Sequence, residues 1–188
     1  MDEFDFLVIG SGSGLDVANV AANQGRSVAV VEKGPLGGTC LNRGCIPSKL
    51  LLYHADVLET VERAGEFHID ARVDDVEFAD IVRDVNEEVE ADAESIRQGL
   101  RSSSQHSLFE GEGRFVDDHT VEVVGCADDG TRLRAETILI AAGSRPAIPA
   151  IDGIDDVAYL TSTEALQLET PPDHLVIVGG GYIAAELG

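Results

Sequence analysis

The stretch from Phe4 to Glu32 constrains the fold of this chain more than any other. An apolar run, FDFLVI, leads directly into Gly10-Ser-Gly12-Ser-Gly14. Leu15 to Gln24 then carries Ala and Val at helical spacing, and a second apolar run, Ser27 to Val31, ends at Glu32. Strand, glycine turn, helix, strand is a βαβ unit. It demands a parallel sheet, because two strands pointing the same way can be joined only through a crossover.

The glycine turn and the acid at the end of the second strand match a dinucleotide-binding arrangement, so the expected class is α/β and Rossmann-like. Gly10 and Gly12 would let the backbone approach a pyrophosphate at the helix start, and Glu32 would accept hydrogen bonds from a ribose. A purely structural turn is the competing reading, and the strand context with Glu32 weighs against it. Where the usual third glycine would stand the chain has Leu15, which is expected to loosen the packing of helix on strand.

Further along, apolar residues from Pro47 to Arg63 keep a helical period that stops near Gly65, and Phe78 to Leu100 forms a strongly acidic helix with one apolar stripe. Arg114 to Val124 and Thr131 to Ala141 read as strands around an Asp129-Gly130 hairpin turn. After Pro171-Pro172, Leu175 to Val178 reads as a strand entering Gly179-Gly180-Gly181, the beginning of a second nucleotide-binding unit. The expected division is a first domain over 1–152, a linker over 153–172 and the start of a truncated second domain over 173–188.

Charge excludes some partners. With 13 basic and 35 acidic side chains the formal charge is −22, which repels nucleic-acid phosphates and anionic lipid. The 44% hydrophobic fraction is nonetheless enough for a packed core. Lys33 and Lys49 are the only lysines, and acids are spread along the whole chain, a texture that fits an ordinary acidic cytosolic protein but favours a halophilic one, expected to unfold in low salt. The acidic start MDEFDF lacks the basic residues of an export or transit signal, and no apolar run reaches membrane-spanning length, so a cytoplasmic location is expected.

The most specific segment is Gly37-Gly38-Thr39-Cys40-Leu-Asn-Arg-Gly44-Cys45-Ile-Pro-Ser-Lys49. Cysteines five apart on a regular helix point about 140° from each other, too divergent for a disulfide, so the backbone must be irregular here and Gly44 permits it. A zinc site is disfavoured, because Cys126 has no nearby Cys or His to complete a ligand set, and no metal is expected. A redox pair needs one exposed thiolate to attack a disulfide and a second thiol to resolve the mixed disulfide, roles that Cys40 and Cys45 fit.

GGTCLNRGCIPSK, together with GSGSG, AAGSRP and VIVGGGYIAAE, resembles the flavin-dependent pyridine nucleotide-disulfide oxidoreductases over essentially the whole chain. The resemblance implies an FAD-binding domain followed by the start of an NAD(P)-binding one, and a full-length homodimer that reduces a small-molecule disulfide. It implies that Gly10, Gly12, Gly14, Glu32, Lys33 and Gly38 hold FAD, with Thr39 against the flavin and Ala142 and Gly143 in the segment that returns to the cofactor. Cys40 corresponds to the interchange thiol and Cys45 to the charge-transfer thiol. Lys49 corresponds to a lysine near the flavin, paired with Glu186, while Gly179, Gly181 and Tyr182 lie on the nicotinamide side.

By the same resemblance, hydride passes from NAD(P)H to FAD and electrons then reach the Cys40–Cys45 disulfide. GSGSG, AAGSRPAIP and VIVGGGYIAAELG resemble mycothione reductase most, which implies a mycothione-type substrate, or bis-γ-glutamylcystine if the host is a halophilic archaeon. Dihydrolipoyl dehydrogenase and mercuric reductase are the alternatives, and a flavin-binding or thiol-sensing module without catalysis is the reading from a different class. The family's catalytic His–Glu motif matches none of His54, His68, His106, His119 and His174, which are expected to be surface or satisfied core residues, and Cys126 an ordinary thiol. The 188 residues are not expected to turn over alone.

Overall fold

The structure, a computed structural model, describes residues 1–188. In chain order the elements are β1 (Asp2–Ile9), α1 (Gly14–Asn23), β2 (Val28–Glu32), α2 (Gly38–Arg43), α3 (Cys45–Glu62), α4 (Phe78–Ser102), β3 (His106–Glu110), β4 (Glu112–Asp117), β5 (Thr120–Val124), β6 (Arg132–Ile140), α5 (Ser162–Ala165) and α6 (Tyr182–Leu187). The residues form two compact units, Met1–Asn42 with Glu90–Ser144, and Arg43–Val89 with Arg145–Gly188.

The first unit is built on one six-stranded sheet in the order β3-β2-β1-β6-β5-β4. β1 lies between β2 and β6 and is parallel to both, β3 extends β2 in parallel, and beyond β6 the pairs β6–β5 and β5–β4 are antiparallel. A central parallel strand is buried on both faces, which is why Phe6 to Ile9 is continuously apolar rather than alternating, while Asp5 before it accepts from the Ser27 N–H and hydroxyl. Phe6 and Val8 pack with Val28, Val30, Ala18 and Ala22 on the α1 face, where Leu100 of α4 joins them. Leu7 points the other way, into Ala29, Val31, Val121, Val123 and Leu133. Each such side chain contributes about 1.5–3 kcal/mol on burial. Small residues at 18, 21 and 22 let α1 lie close to the sheet.

The α/β, Rossmann-like expectation holds, with differences in the details. Asp129-Gly130 does turn β5 into β6, Gly130 with φ of 82° and its N–H donating to the Val123 carbonyl at 2.8 Å. The stretch expected as one strand from Arg114 to Val124 is instead a hairpin, because Asp117 accepts from the His119 N–H at 2.9 Å and reverses the chain. β3 carries no periodic signal and forms because β2 offers a free parallel edge, with Val28 opposite His106 and Glu32 opposite Glu110.

In the second unit α3 begins at Cys45, and Pro47 in its first turn costs no internal hydrogen bond. Leu175 to Val178 is not a strand. These residues lie 42–87% exposed and pair with no other strand, and an isolated strand has no ladder to satisfy its N–H and C=O groups. No helix is long and apolar enough to cross a membrane.

Candidate functional site

Between β1 and α1 the backbone is fixed by close contacts that admit no side chain. Gly10 has φ of 104°, and a Cβ there would stand 2.2 Å from the Ala141 carbonyl oxygen. At Gly38, φ 67°, a Cβ would meet Gly12 Cα at 2.5 Å, so two glycine backbones touch where a phosphate cradle is expected. Gly14 corrects the expectation drawn from Leu15. Its missing Cβ would lie 2.6 Å from Val8 Cγ2 and 2.8 Å from Ala141 Cβ, so the close helix-to-strand contact is made one residue earlier, and Leu15 packs against the core beside it.

Glu32 ties this loop together. Its Oε2 accepts from the Ser11 N–H at 2.9 Å and the Ser11 hydroxyl at 2.8 Å, and its Oε1 accepts from the Gly34 N–H at 2.8 Å. Ser11 is buried, and its hydroxyl oxygen also accepts from the Gly37 N–H at 3.2 Å. A carboxylate has about four lone-pair sites, so one acceptor position remains for a ribose hydroxyl. α1 has no side-chain cap at its start; the Leu15 and Asp16 N–H groups turn back to the carbonyls of Gly12 at 3.0 Å and Ser13 at 3.3 Å, and the positive end of the helix faces the glycine loop. The chemistry of this set fits a dinucleotide. Glu32→Ala removes three charge-assisted acceptor positions and is expected to weaken FAD binding by about ten- to a hundredfold, read by flavin fluorescence on titration of the full-length protein.

Other expected cofactor residues are less engaged. Lys33 is exposed and pairs with Glu112 at 3.2 Å. Thr39 and Cys40 are exposed on the first turn of α2, a helix held by buried Leu41 and by Asn42, whose side-chain amide donates to the carbonyls of Leu36 at 2.8 Å and Gly38 at 2.9 Å. Asn42 was not singled out by the sequence; an amide two residues before the expected helix break at Gly44 is the signal that would have found it. Ala142 and Gly143 lie exposed after β6, Gly143 with φ of 73°. Gly44, at φ −148° and ψ −118°, separates α2 from α3, the irregularity that the cysteine spacing demands.

In the second unit Cys45 is the exposed first residue of α3, and Lys49 follows one turn later on the same helix face. Lys49 Nζ lies 2.5 Å from Glu186 Oε1, and the buried Ser48 hydroxyl donates to Glu186 Oε2 at 3.1 Å. The Lys49 hydrogen bond, then that from Ser48, holds the Glu186 carboxyl below its ordinary range. The pair therefore stabilises the fold above the ordinary carboxyl pKa, and its contribution is lost as pH falls through the lowered value. Gly181 caps α6 in extended backbone, Tyr182 is exposed at its first turn, and Gly179 has φ of 126° with open space around it.

His54 Nδ1–H donates to the Leu50 carbonyl at 2.8 Å, and His119 Nδ1–H to that of Ala135 at 3.0 Å. His106 departs from the expectation of a satisfied core residue: Nδ1 meets the Ser103 hydroxyl at 2.8 Å, but Nε2 is buried without a partner, and burial lowers the imidazole pKa. Cys126 is exposed in a turn at φ 57°.

The family model for pyridine nucleotide-disulphide oxidoreductases matches residues 4–188. The chain belongs to that family. It is similar to mercuric reductase from Streptomyces lividans, 40% identical over 186 residues that cover 97% of this chain and 39% of the relative. It is similar to mycothione reductase from Mycobacterium tuberculosis (strain ATCC 25618 / H37Rv), 37% identical over 190 residues, 99% of this chain and 40% of the relative. Among solved structures it matches the Cu(II) complex of the HOCl-induced flavoprotein disulfide reductase RclA from Escherichia coli, with TM-score 0.79 and 30% identity over 99% of this chain and 39% of that one. The chain thus spans about two fifths of these proteins. Identities of 40% and 37% are too close to rank a mycothione-type substrate above a mercuric one.

Proposed function

We propose that the full-length protein carrying this chain is an FAD-dependent NAD(P)H:disulfide oxidoreductase that reduces a low-molecular-weight thiol disulfide of the mycothione or bis-γ-glutamylcystine type. The observation that carries the reading is the arrangement on α3: Cys45 at its first residue and Lys49 one turn on, ion-paired to Glu186. In this reading residues 1–152 bind FAD, 153–172 link, and 173–188 open the NAD(P) domain of a cytoplasmic homodimer adapted to high salt.

FAD, when bound, supplies two-electron transfer between nicotinamide and protein disulfide. The backbones of Gly10, Gly12, Gly14 and Gly38 hold its pyrophosphate and Glu32 its ribose, with Lys33 beside them. Thr39, Ala142 and Gly143 flank the flavin, and Gly179, Gly181 and Tyr182 the nicotinamide. Lys49, ion-paired to Glu186, would stand beside the flavin.

The thiol chemistry belongs to the chain itself. The Cys40 thiolate attacks one sulfur of the substrate disulfide and the other leaves as a thiolate, which takes a proton. Cys45 then attacks the mixed disulfide, releasing the second substrate thiol and leaving Cys40 and Cys45 joined. Two electrons pass from the pair to the substrate, and NAD(P)H restores them.

The test is an absorption spectrum of the full-length protein with FAD in high salt, before and after anaerobic thiol reduction. A long-wavelength charge-transfer shoulder on reduction is expected, and it disappears in Cys45→Ser. A flavin spectrum indifferent to reduction would overturn the assignment. The second reading, a mercuric reductase, is supported to the same degree by the 40% identity to the Streptomyces relative. NAD(P)H oxidation assayed with the thiol disulfides and with Hg(II) in parallel separates the two.

A further inference from the structure

Ser48 is a buried polar residue of α3, only 6% exposed. Its Oγ lies 3.1 Å from Glu186 Oε2 and 3.3 Å from the backbone carbonyl oxygen of Cys45. A hydroxyl has one hydrogen and two lone pairs, so it donates to one of these acceptors at a time. The protonation of Glu186 decides which.

While Glu186 is ionised, both its oxygens only accept, and Ser48 donates to Oε2. When Oε2 takes a proton from water it becomes a donor; Ser48 Oγ then accepts from it, and the Ser48 hydrogen turns to the Cys45 carbonyl. Lys49 is bonded to Oε1, the oxygen that keeps its acceptor role in both states. Neither state strands a buried polar atom, which would cost about 1–3 kcal/mol.

On the reading of the Lys49–Glu186 pair given above, we propose that Ser48 is a positioning residue, a hydroxyl rotor that orients the Glu186 carboxylate toward Lys49 and links its proton to the Cys45 carbonyl. Of the elements packed on α6, α3 contributes Lys49 as the facing charge. α5 contributes Glu164, whose carboxylate is taken up by the Thr161 hydroxyl and N–H of its own capping box. Ser48 is the second cause, after Lys49, of the lowered Glu186 pKa. Removing its hydroxyl therefore raises that pKa toward the ordinary value.

The experiment is an infrared pH titration of the full-length protein, with the Glu186 carboxyl band isolated by subtracting the Glu186→Gln spectrum. Ser48→Ala is expected to move the Glu186 midpoint up, and Ser48→Thr to return it to the wild-type position. Ser48→Val matches Thr in shape without the hydroxyl, so the Thr–Val comparison decides the matter even if the Ala protein does not fold. With 13C-labelled cysteine, the Cys45 carbonyl band is expected to shift as Glu186 titrates in the Thr protein and to stay fixed in the Val protein. Equal midpoints for Thr and Val overturn the role of Ser48. The reading of the pair itself fails separately, if Glu186→Gln leaves the bound-flavin reduction potential unchanged.

Discussion

Cys40→Ser in the full-length protein is expected to abolish disulfide reduction while NAD(P)H still reduces the flavin. The reason is nucleophile chemistry. A thiolate attacks a disulfide sulfur, whereas a serine hydroxyl is not ionised near neutral pH and forms no exchangeable mixed disulfide. Turnover should fall by on the order of 10³-fold or more, the scale seen when a covalent nucleophile is removed. Cys40 is exposed on α2 while the flavin contacts proposed above rest on other residues, so the flavin spectrum is expected to stay close to wild type. Stopped-flow absorbance separates the two halves: rapid flavin reduction with no substrate-dependent reoxidation is the expected trace. Retained turnover would move the interchange role away from Cys40.

The second large effect is structural. Gly10→Ala places a Cβ 2.2 Å from the Ala141 carbonyl oxygen at a residue whose φ is 104°. Neither side can give way, because Gly10 donates to the Val31 carbonyl at 2.9 Å and Ala141 to the Ile9 carbonyl at 2.8 Å, both continuing the central sheet. Overpacking and positive-φ strain together are expected to cost about 3 kcal/mol or more, a fall in Tm of roughly 6–12 °C for a domain of this size, with loss of FAD. Gly25→Ala is the control. Its φ is 82° but no atom lies within 4 Å of the added carbon, so strain alone acts, about 1–2 kcal/mol. Thermal unfolding of both variants, with FAD content measured, checks the difference; equal losses would show that Gly10 answers only to its φ.

Much of the site was legible because its signals are local. The run FDFLVI, the glycines at 10 and 12, and Glu32 at a strand end sit within one βαβ unit, where sequence spacing and spatial spacing nearly coincide. The helix break at Gly44 was expected from the cysteine spacing, since a continuous helix would point the two thiols about 140° apart, too far for the proposed disulfide. The Lys49–Glu186 pair was reached only through the family resemblance, for 137 residues separate its partners.

What escaped the sequence depended on neighbours that no short window contains. β3 has no pattern of its own and exists because β2 leaves an edge to pair with; Leu175 to Val178 has the pattern of a strand and no edge to meet. Backbone hydrogen bonds of a strand are satisfied by another segment, so composition proposes strands and the rest of the sheet disposes of them. The same holds for Gly14, whose importance lies in Val8 and Ala141, and for Ser48, whose partners are Glu186 and the Cys45 carbonyl. The sequence by itself determined the family and the parallel α/β core and singled out the two cysteines proposed as the redox pair, because glycine freedom, hydrophobic runs and thiol chemistry are properties of residues. Only the tertiary structure decided which glycine packs the helix onto the sheet and which hydroxyl holds the carboxylate, because a clash or a hydrogen bond is a property of two groups brought together by the fold.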